Sequence, residues 1–506
     1  MRLIFNSFGW ILVLGIWTGE PCLARNPEAS FIGEPHAAGL QSGSDGLRRD
    51  PSPRLVRAST ATQPGSELTP QASVYSEPRA LPQIPGKPVT VGAAGAVALS
   101  GLSPDGQIIR TTRIGQLTGG YDPEGKPFIN DTVPWRVAGV DLGASTEHHG
   151  RLYFFFGDVV PTPGGSWPPY DSDLIAYTQD ASAEPNGLRL TPVTRDGAFY
   201  PFTVRFPNGP TNGIQLLQND TPTGAFSYGG KVHVFFAWHD LSKPDRPFHS
   251  SLASSPDPGQ AVPFRWMAHI STKFSQVAPW VITNSDLAGL PAATGEGLVL
   301  FGQGATADGH GAVSLAWIPL EAGRDPDFSR IRYYTKASSP GQPWSTHEAD
   351  AAPLFKTRWF WSSLSVGRIA GMGRWILLYQ RAARPEAPEE SIVARIARTP
   401  FEFADATESG EIPIFTPAQD GAYRVVASDG SVLHRGYMHR QGSSVADGLD
   451  RLPPTIGGNG FAYGAYLLNR YTRWDAATRT LTIYYVMSTG MPYQVQLMRS
   501  EISVAD

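Results

Sequence analysis

Asp141 and Asp158, which flank the first strongly apolar run of the sequence, have the residue type and spacing best suited to chemistry. Two carboxyl groups held several ångströms apart can cleave a glycosidic bond, because one protonates the leaving oxygen while the other acts as nucleophile or activates water. Crowding raises the pKa of one carboxyl group, which keeps it protonated near neutral pH. A purely structural role is the alternative: Asp141 could cap a turn, and Asp158 could end a strand.

The two aspartates meet only if the segments that carry them pair in the right register. We predict a hairpin with an even-length turn at His148 and His149, in which Asp141 faces Phe156. Asp158 lies two positions beyond that partner. Residues two apart share one face of a strand, so both carboxylates would occupy the same face at the same end. An odd-length turn would place them on opposite faces.

Other polar side chains occupy comparable positions later in the chain and could bind substrate. An aromatic ring at Trp238, which follows the second apolar run, could stack on a sugar, although a core or rim position explains it equally well. No other ligand spacing accompanies His148 and His149, so we predict no metal site and no cofactor. The predicted substrate-binding residues are Asp173, Asn219, Asp220, Trp238, His239 and Gln380.

These candidates lie on a pattern of two strands and a loop that occurs five times, at intervals of roughly 65 to 110 residues. A blade that cannot bury both faces alone stacks on its neighbours, and a ring of such blades closes around a channel. We therefore predict an all-β, five-bladed β-propeller over residues 105–506, in which residues 108–114 complete the last blade. The apolar first strands are 152–156, 232–236, 298–301, 375–379 and 481–487, and their partners are 172–178, 250–254, 312–317, 391–397 and 494–500.

The composition sets the class of partner. The chain has 506 residues, of which 41% are hydrophobic and 17% charged, with a net charge of −4. This length is ample for one large domain, and the absence of a basic excess argues against nucleic-acid binding. We expect a monomer with a polysaccharide or oligosaccharide substrate and no integral membrane domain.

The N-terminus has the features of an exported protein. Arg2 precedes a largely apolar stretch, and small residues precede a cleavage point after Ala24, which predicts a signal peptide over residues 1–24. Residues 25–100 are rich in Pro, Ser, Ala and Gly, which predicts a disordered linker. Cys22 is the only cysteine and would be removed with the signal peptide. We therefore expect a secreted or periplasmic protein without disulfides.

Several of these segments together resemble the DUF4185 group of exported proteins. The resemblance covers about residues 105 to 502 and depends on the order of its motifs. The matching motifs are GVDLG at 139–143, GRLYFFFGD at 150–158, DLIAY at 173–177, TPTG at 221–224, LSV at 364–366 with RW at 374–375, and YY at 484–485 with PYQV at 492–495.

The resemblance implies a five-bladed propeller similar to arabinan- and fructan-cleaving glycosidases, with catalysis by first-blade aspartates, here Asp141 and Asp158. Some bacterial members of the group are endo-acting D-arabinanases. We therefore predict an exported glycoside hydrolase that cleaves a furanose-containing polysaccharide such as arabinan. The roles of acid and base are not assigned by the sequence. The alternatives are a carbohydrate-binding propeller that does not cleave, and a scaffold for protein partners.

Overall fold

A computed structural model describes residues 106–505 except for a set of short segments. The predicted signal peptide (1–24) and linker (25–100) lie outside the described residues. The segments left out are 127, 163–170, 217–219, 239–248, 272, 306–310, 337–342, 358–363, 382–390, 406–409, 419, 424, 427–430, 435, 439–460 and 491.

The chain folds into five blade sheets that follow one another in sequence, as predicted for a five-bladed propeller, and two small two-stranded sheets accompany them. The strands of the blades pair antiparallel, except that Phe264–Ser271 and Thr203–Arg205 in blade two are parallel. Each predicted apolar strand forms the second strand of a blade and pairs with an inner strand, which contains glycine in every blade except blade three. The inner strands are Val137–His148, Pro222–Tyr228, Gln276–Thr283, Leu364–Arg368 and Ala462–Leu467. The second strands are Arg151–Pro161, Lys231–Trp238, Glu296–Ala305, Trp375–Arg381 and Thr480–Thr489.

The predicted partner segments form the third strands, and shorter strands complete the outside of each blade. The third strands are Ser172–Thr178, His249–Ser255, Gly311–Leu320, Ser391–Ala397 and Gln494–Ser503. The outer strands are Thr191–Pro192, Phe264–Ser271, Arg332–Tyr334 with Pro353–Thr357, Ile412–Phe415 and Gln107–Gln116. The remaining strands are Thr194–Arg195, Ala198–Phe199, Thr203–Arg205, Ile214–Gln215, Trp344–Ser345, Val425–Val426, Val432–His434 and Arg473–Asp475.

Helical structure in the described part of the chain is limited to short 3₁₀ segments. None of its helices has the length and apolar character needed to cross a lipid bilayer. The 3₁₀ segments are Val133–Trp135, Asn284–Asp286, Phe328–Arg330, Glu348–Asp350, Pro400–Asp405 and Asn469–Tyr471.

The inner strands form a closed ring. Each contacts the inner strand of the next blade, and the inner strand of blade five contacts that of blade one. The predicted strand near residues 108–114 is confirmed as Gln107–Gln116, which pairs antiparallel with Gln494–Ser503. The first strand of the propeller therefore completes the last blade, and the pairing of these two strands closes the ring.

Aromatic side chains fill the space around blade one. Phe154, Phe155 and Phe156 are fully buried. The rings of Phe154 and Phe156 stack with centroids 5.7 Å apart, while Phe155 packs edge-on against Phe202 at 6.1 Å. Burial of one such ring stabilises the fold by about 1.5–3 kcal/mol. This packing fixes the strand that carries Asp158.

A buried arginine holds the closing strand in place. Arg113 is 5% exposed and donates to Asp122 at 2.6 Å, to Glu124 at 2.8 Å and to Gln496 Oε1 at 2.8 Å. Its guanidinium also lies 4.4 Å from the centre of the Tyr437 ring. Removing one partner of a buried ion pair is costly, because the other charge is left without compensation.

Arg113→Met should therefore lower the free energy of unfolding by about 3–5 kcal/mol. Arg110→Met, on the same strand, is the matched control, because Arg110 is largely exposed and forms a surface ion pair with Glu501 at 3.0 Å. This control should lose less than about 1 kcal/mol. Urea denaturation at neutral pH measures both, and equal losses would show that the buried pair does not secure the ring.

Candidate active site

A tight hairpin places Asp141 and Asp158 at one end of blade one. His148 pairs with Arg151, so the turn consists of His149 and Gly150, with φ of 47° and 79°. Positive φ at both positions is the geometry of a two-residue hairpin turn that matches the twist of the strands. The turn has an even length as predicted, but it lies one residue later than the predicted turn at His148 and His149.

The predicted register at Asp141 was also wrong by one residue. Asp141 faces Gly157, because β-bulges interrupt the pairing on both sides of it. Phe156 faces Leu142 instead. A Cβ atom at Gly157 would lie 3.0 Å from Asp141 Oδ1 and 2.9 Å from Leu142 Cδ1. Glycine therefore allows the two acid-bearing strands to approach closely at this point.

Asp141 is buried and accepts hydrogen bonds from two tyrosines of blade five. The Tyr463 hydroxyl donates to Asp141 Oδ2 at 2.7 Å, and the Tyr493 hydroxyl also bonds this carboxylate. Burial raises the pKa of Asp141 to about 6, and the negative charge of Asp171 adds to the increase. The two tyrosines act in the opposite direction, because their hydrogen bonds favour the ionised form.

Asp158 lies at a bulge between the second and third strands, with φ of 44°. Burial raises the pKa of its carboxyl group well above the usual range, and the charges of Asp141, Asp171 and Asp220 raise it further. Its Oδ1 atom is buried and has no hydrogen-bond partner among the described residues. The surroundings of Asp158 therefore favour its protonated form.

Two further aspartates begin the third strand of blade one. Asp173 is fully buried, and its Oδ1 accepts a long bond of 3.4 Å from the backbone N–H of Asp158. Burial raises the pKa of Asp173 well above its usual value, and Asp158 increases it further. Burial alone raises the pKa of Asp171 to about 6. Asp173, predicted to bind substrate, is thus joined to the backbone of Asp158.

Blade two contributes Asp220, which immediately precedes the inner strand Pro222–Tyr228. Its side chain is 6% exposed, and its charge raises the pKa of both Asp158 and Asp173. The structure thus brings Asp220 to the first-blade aspartates across the boundary between two blades.

The other predicted substrate-binding residues lie in blades two and four or outside the described residues. Trp238 ends the second strand of blade two and pairs with His249 through the backbone. Gln380 is buried in the second strand of blade four, opposite Ile392. Asn219 and His239 lie outside the described residues.

The site residues predicted from the sequence did not include Asp171, Tyr463 or Tyr493. Asp171 carried a usable signal, since it precedes Asp173 by two residues and so shares its position at the start of a strand. The tyrosines are separated from Asp141 by more than 300 residues, and Tyr463 carried no local signal of its own. Tyr493 belongs to the PYQV motif, which pointed to the family but not to a role.

Like charges dominate the site. Every charged group that shifts the pKa of Asp141, Asp158 or Asp173 is another carboxylate. Several carboxylates in one buried place cannot all ionise near neutral pH, so at least one remains protonated. Within the described part of the chain, no three His, Cys, Asp or Glu side chains are grouped so that they could hold a metal ion. The arrangement can supply a proton donor and a carboxylate side by side.

Comparison with solved structures finds carbohydrate-active enzymes at low similarity. The catalytic domain of a Coprinopsis cinerea GH62 alpha-L-arabinofuranosidase is 11% identical, covers 77% of this chain and 98% of its own, and has a TM-score of 0.35. An endo-arabinase from Bacteroides thetaiotaomicron is 10% identical, covers 74% and 96%, and has a TM-score of 0.32. A GH43_1 enzyme from Xanthomonas citri is 12% identical, covers 72% and 87%, and has a TM-score of 0.33. TM-scores this low do not establish a relationship.

No curated protein matches the chain. Among protein families, the model described as a domain of unknown function, DUF4185, matches residues 129–499. This range contains the inner, second and third strands of all five blades, apart from the last residues of the final strand, together with Asp141, Asp158 and the two tyrosines. The chain therefore belongs to the DUF4185 family.

Proposed function

We propose that this protein is a glycoside hydrolase that cleaves a furanose-containing polysaccharide by means of Asp141 and Asp158. The observation that carries the proposal is the contrast between these two neighbouring carboxyl groups. One accepts hydrogen bonds from tyrosines, and the other is pushed toward its neutral form by burial and by three negative charges. A pair of acids whose pKa values are driven apart is what glycosidic bond cleavage requires.

The contrast assigns a role to each aspartate. Asp158 is the general acid, because its proton is retained and can be passed to the leaving sugar oxygen. Asp141 is the ionised partner that acts as nucleophile or activates water, because Tyr463 and Tyr493 stabilise its charge. The two groups interact strongly, so their titration belongs to the pair.

The remaining carboxylates maintain that state. Asp171 and Asp220 face the pair with negative charge, which keeps Asp158 protonated and favours the positive charge that develops on the sugar during cleavage. Asp173 holds the backbone of Asp158 through its N–H. We assign these residues to positioning and electrostatics rather than to proton transfer.

The proposed substrate follows from the resemblance to the DUF4185 group, some members of which are endo-acting D-arabinanases. We propose arabinan as the polysaccharide, with Asn219, Trp238, His239 and Gln380 as sugar-binding residues. The N-terminal segment is proposed to direct the protein to the periplasm or the cell exterior, where such a polysaccharide is found.

Asp158→Asn should lower hydrolysis of arabinogalactan at least about 100-fold, because the general acid is lost. Asparagine tolerates the positive φ at this position, so the fold should be retained. Asp196→Asn is the matched control, since Asp196 is exposed and also has a positive φ, of 53°. Released reducing ends measure the rate. Turnover by Asp158→Asn at the unmodified rate would refute the assignment, and retention of the glycan without release by the unmodified protein would make it a binding module.

Tyr463→Phe should move the acidic limb of the kcat/KM profile to higher pH by about one unit. The lost hydrogen bond stabilised the ionised form of Asp141, so the pKa of that group rises further above about 6. Tyr471→Phe is the control, because the Tyr471 hydroxyl donates to the Asp180 carbonyl at 2.8 Å, outside the cluster. Its profile should keep the original limb. Identical profiles for both variants would separate Tyr463 from catalysis.

Asp173→Asn should stabilise the protein at pH 7 more than at pH 4. The pKa of this carboxyl group is raised in the folded state, so the folded chain binds more protons than the unfolded chain above about pH 4. Rising pH therefore costs stability, and asparagine removes that cost. The gain in the free energy of unfolding should therefore be larger at pH 7 than at pH 4. Denaturation at the two pH values measures it, and a pH-independent difference would contradict it.

A further inference from the structure

A cavity lies in the ring of inner strands, beyond Asp141 along the first of them. Its volume is about 280 Å³, and the inner strands of all five blades contribute to its wall. In blade one it is lined by Ser145, Thr146 and Glu147, which lie near the end of the inner strand. Asp141 lies closer to the start of the same strand. Strands rise about 3.3 Å per residue, so these residues lie roughly 15 Å along the strand from Asp141.

An aromatic side chain forms part of this wall. Trp280, on the inner strand of blade three, is half-buried and lines the cavity. Its ring packs edge-on against buried Trp375, with centroids 6.0 Å apart and an interplanar angle of 69°. Packing of this kind fixes the ring and leaves part of it available to a ligand. A rigid aromatic surface is a common feature of small-molecule sites that combine apolar contact with a few polar groups.

Thr223, which carries a buried and unpaired hydroxyl, lines the same cavity. Thr223 is 2% exposed, and its Oγ1 atom has no hydrogen-bond partner among the described residues. Buried hydroxyls are nearly always hydrogen-bonded, and leaving one unpaired costs about 1–3 kcal/mol. The hydroxyl of a bound ligand would remove this cost.

The charges at this end of the channel are already balanced. Arg470 donates to Glu147 Oε2 at 3.0 Å and to the Gly150 carbonyl at 2.9 Å, and both side chains line the cavity. The pair has no net charge, so it does not favour an anion or a cation. Its remaining donors and acceptors suit a ligand that has several neutral hydroxyl groups.

We propose that this cavity is a second carbohydrate-binding site, which takes one or two neutral sugar residues of the polysaccharide without cleaving them. Trp280 supplies the stacking surface, Thr223 bonds a sugar hydroxyl, and the Glu147–Arg470 pair orients the ring. The proposal rests on the proposed function, because the sugar comes from the same polymer. Such a site would hold the protein on its substrate between cleavage events.

The test uses the full-length Asp158→Asn variant, which should bind a substrate without cutting it. A linear arabino-oligosaccharide of five residues is titrated calorimetrically into this variant and into the double variant that adds Trp280→Ala. We expect two sites in the first protein and one in the second. Adding Trp266→Ala instead is the matched control, because Trp266 is also half-buried but lies on the outer strand of blade two. It should keep both sites.

Thr223→Val provides an independent measurement that does not depend on the loss of a large side chain. Valine has the shape of threonine without the hydroxyl, so the unfolding midpoint should stay the same or rise. Affinity at the second site should fall about tenfold. An unchanged affinity would show that only water meets this hydroxyl, and would overturn its role in binding.

The two proposals fail in different ways. Suppose that hydrolysis depends on Asp158 but that calorimetry finds one binding site, which persists in the Trp280→Ala variant. This result overturns the proposed second site and leaves the proposed hydrolase activity intact. Suppose instead that there are two binding sites, one of which is lost in the Trp280→Ala variant, but that the unmodified protein does not hydrolyse the polysaccharide. This result overturns the proposed hydrolase activity and leaves the second carbohydrate site. If the Trp280→Ala substitution changes neither the unfolding midpoint nor the binding, the second site is overturned.

Discussion

Closure of the ring is the constraint on which the site depends. A blade buries its faces only against its neighbours, so five blades form a stable core once the first strand, Gln107–Gln116, pairs with the last, Gln494–Ser503. The same closure brings blade five against blade one. The hydrogen bond from Tyr463 to Asp141 crosses that junction, and so does the bond from the Leu142 N–H to the Ser488 hydroxyl. The arrangement of the acids is therefore a consequence of how the circle is completed.

The carboxylate cluster works against stability. Burial and mutual repulsion raise the pKa of its members, so each ionisation near neutral pH costs folding free energy. The fold supplies the compensation elsewhere, in the aromatic packing beneath Asp158 and in the buried Arg113 network. A costly group of like charges in a well-packed scaffold is a frequent property of catalytic sites.

The two ends of the channel differ in chemistry because the inner strands differ along their length. Near their starts they bring together acids and tyrosines, which suits proton transfer. Further along the channel lie Trp280 and a balanced ion pair, which suits recognition of a neutral ligand. One ring of strands thus carries two surfaces of different chemistry.

Local sequence determined the five blades, the first-blade hairpin and the closing strand, because apolar runs, glycines and turn lengths act over a few residues. The register at Asp141 could not be predicted from the local sequence, because bulges arise from packing of the strand against blade five rather than from the turn. Tertiary structure alone decided that Tyr463 lies against Asp141 from 322 residues away and that Asp220 acts on Asp158 from the next blade. Those contacts depend on how blades stack around the axis, and no local pattern encodes that geometry.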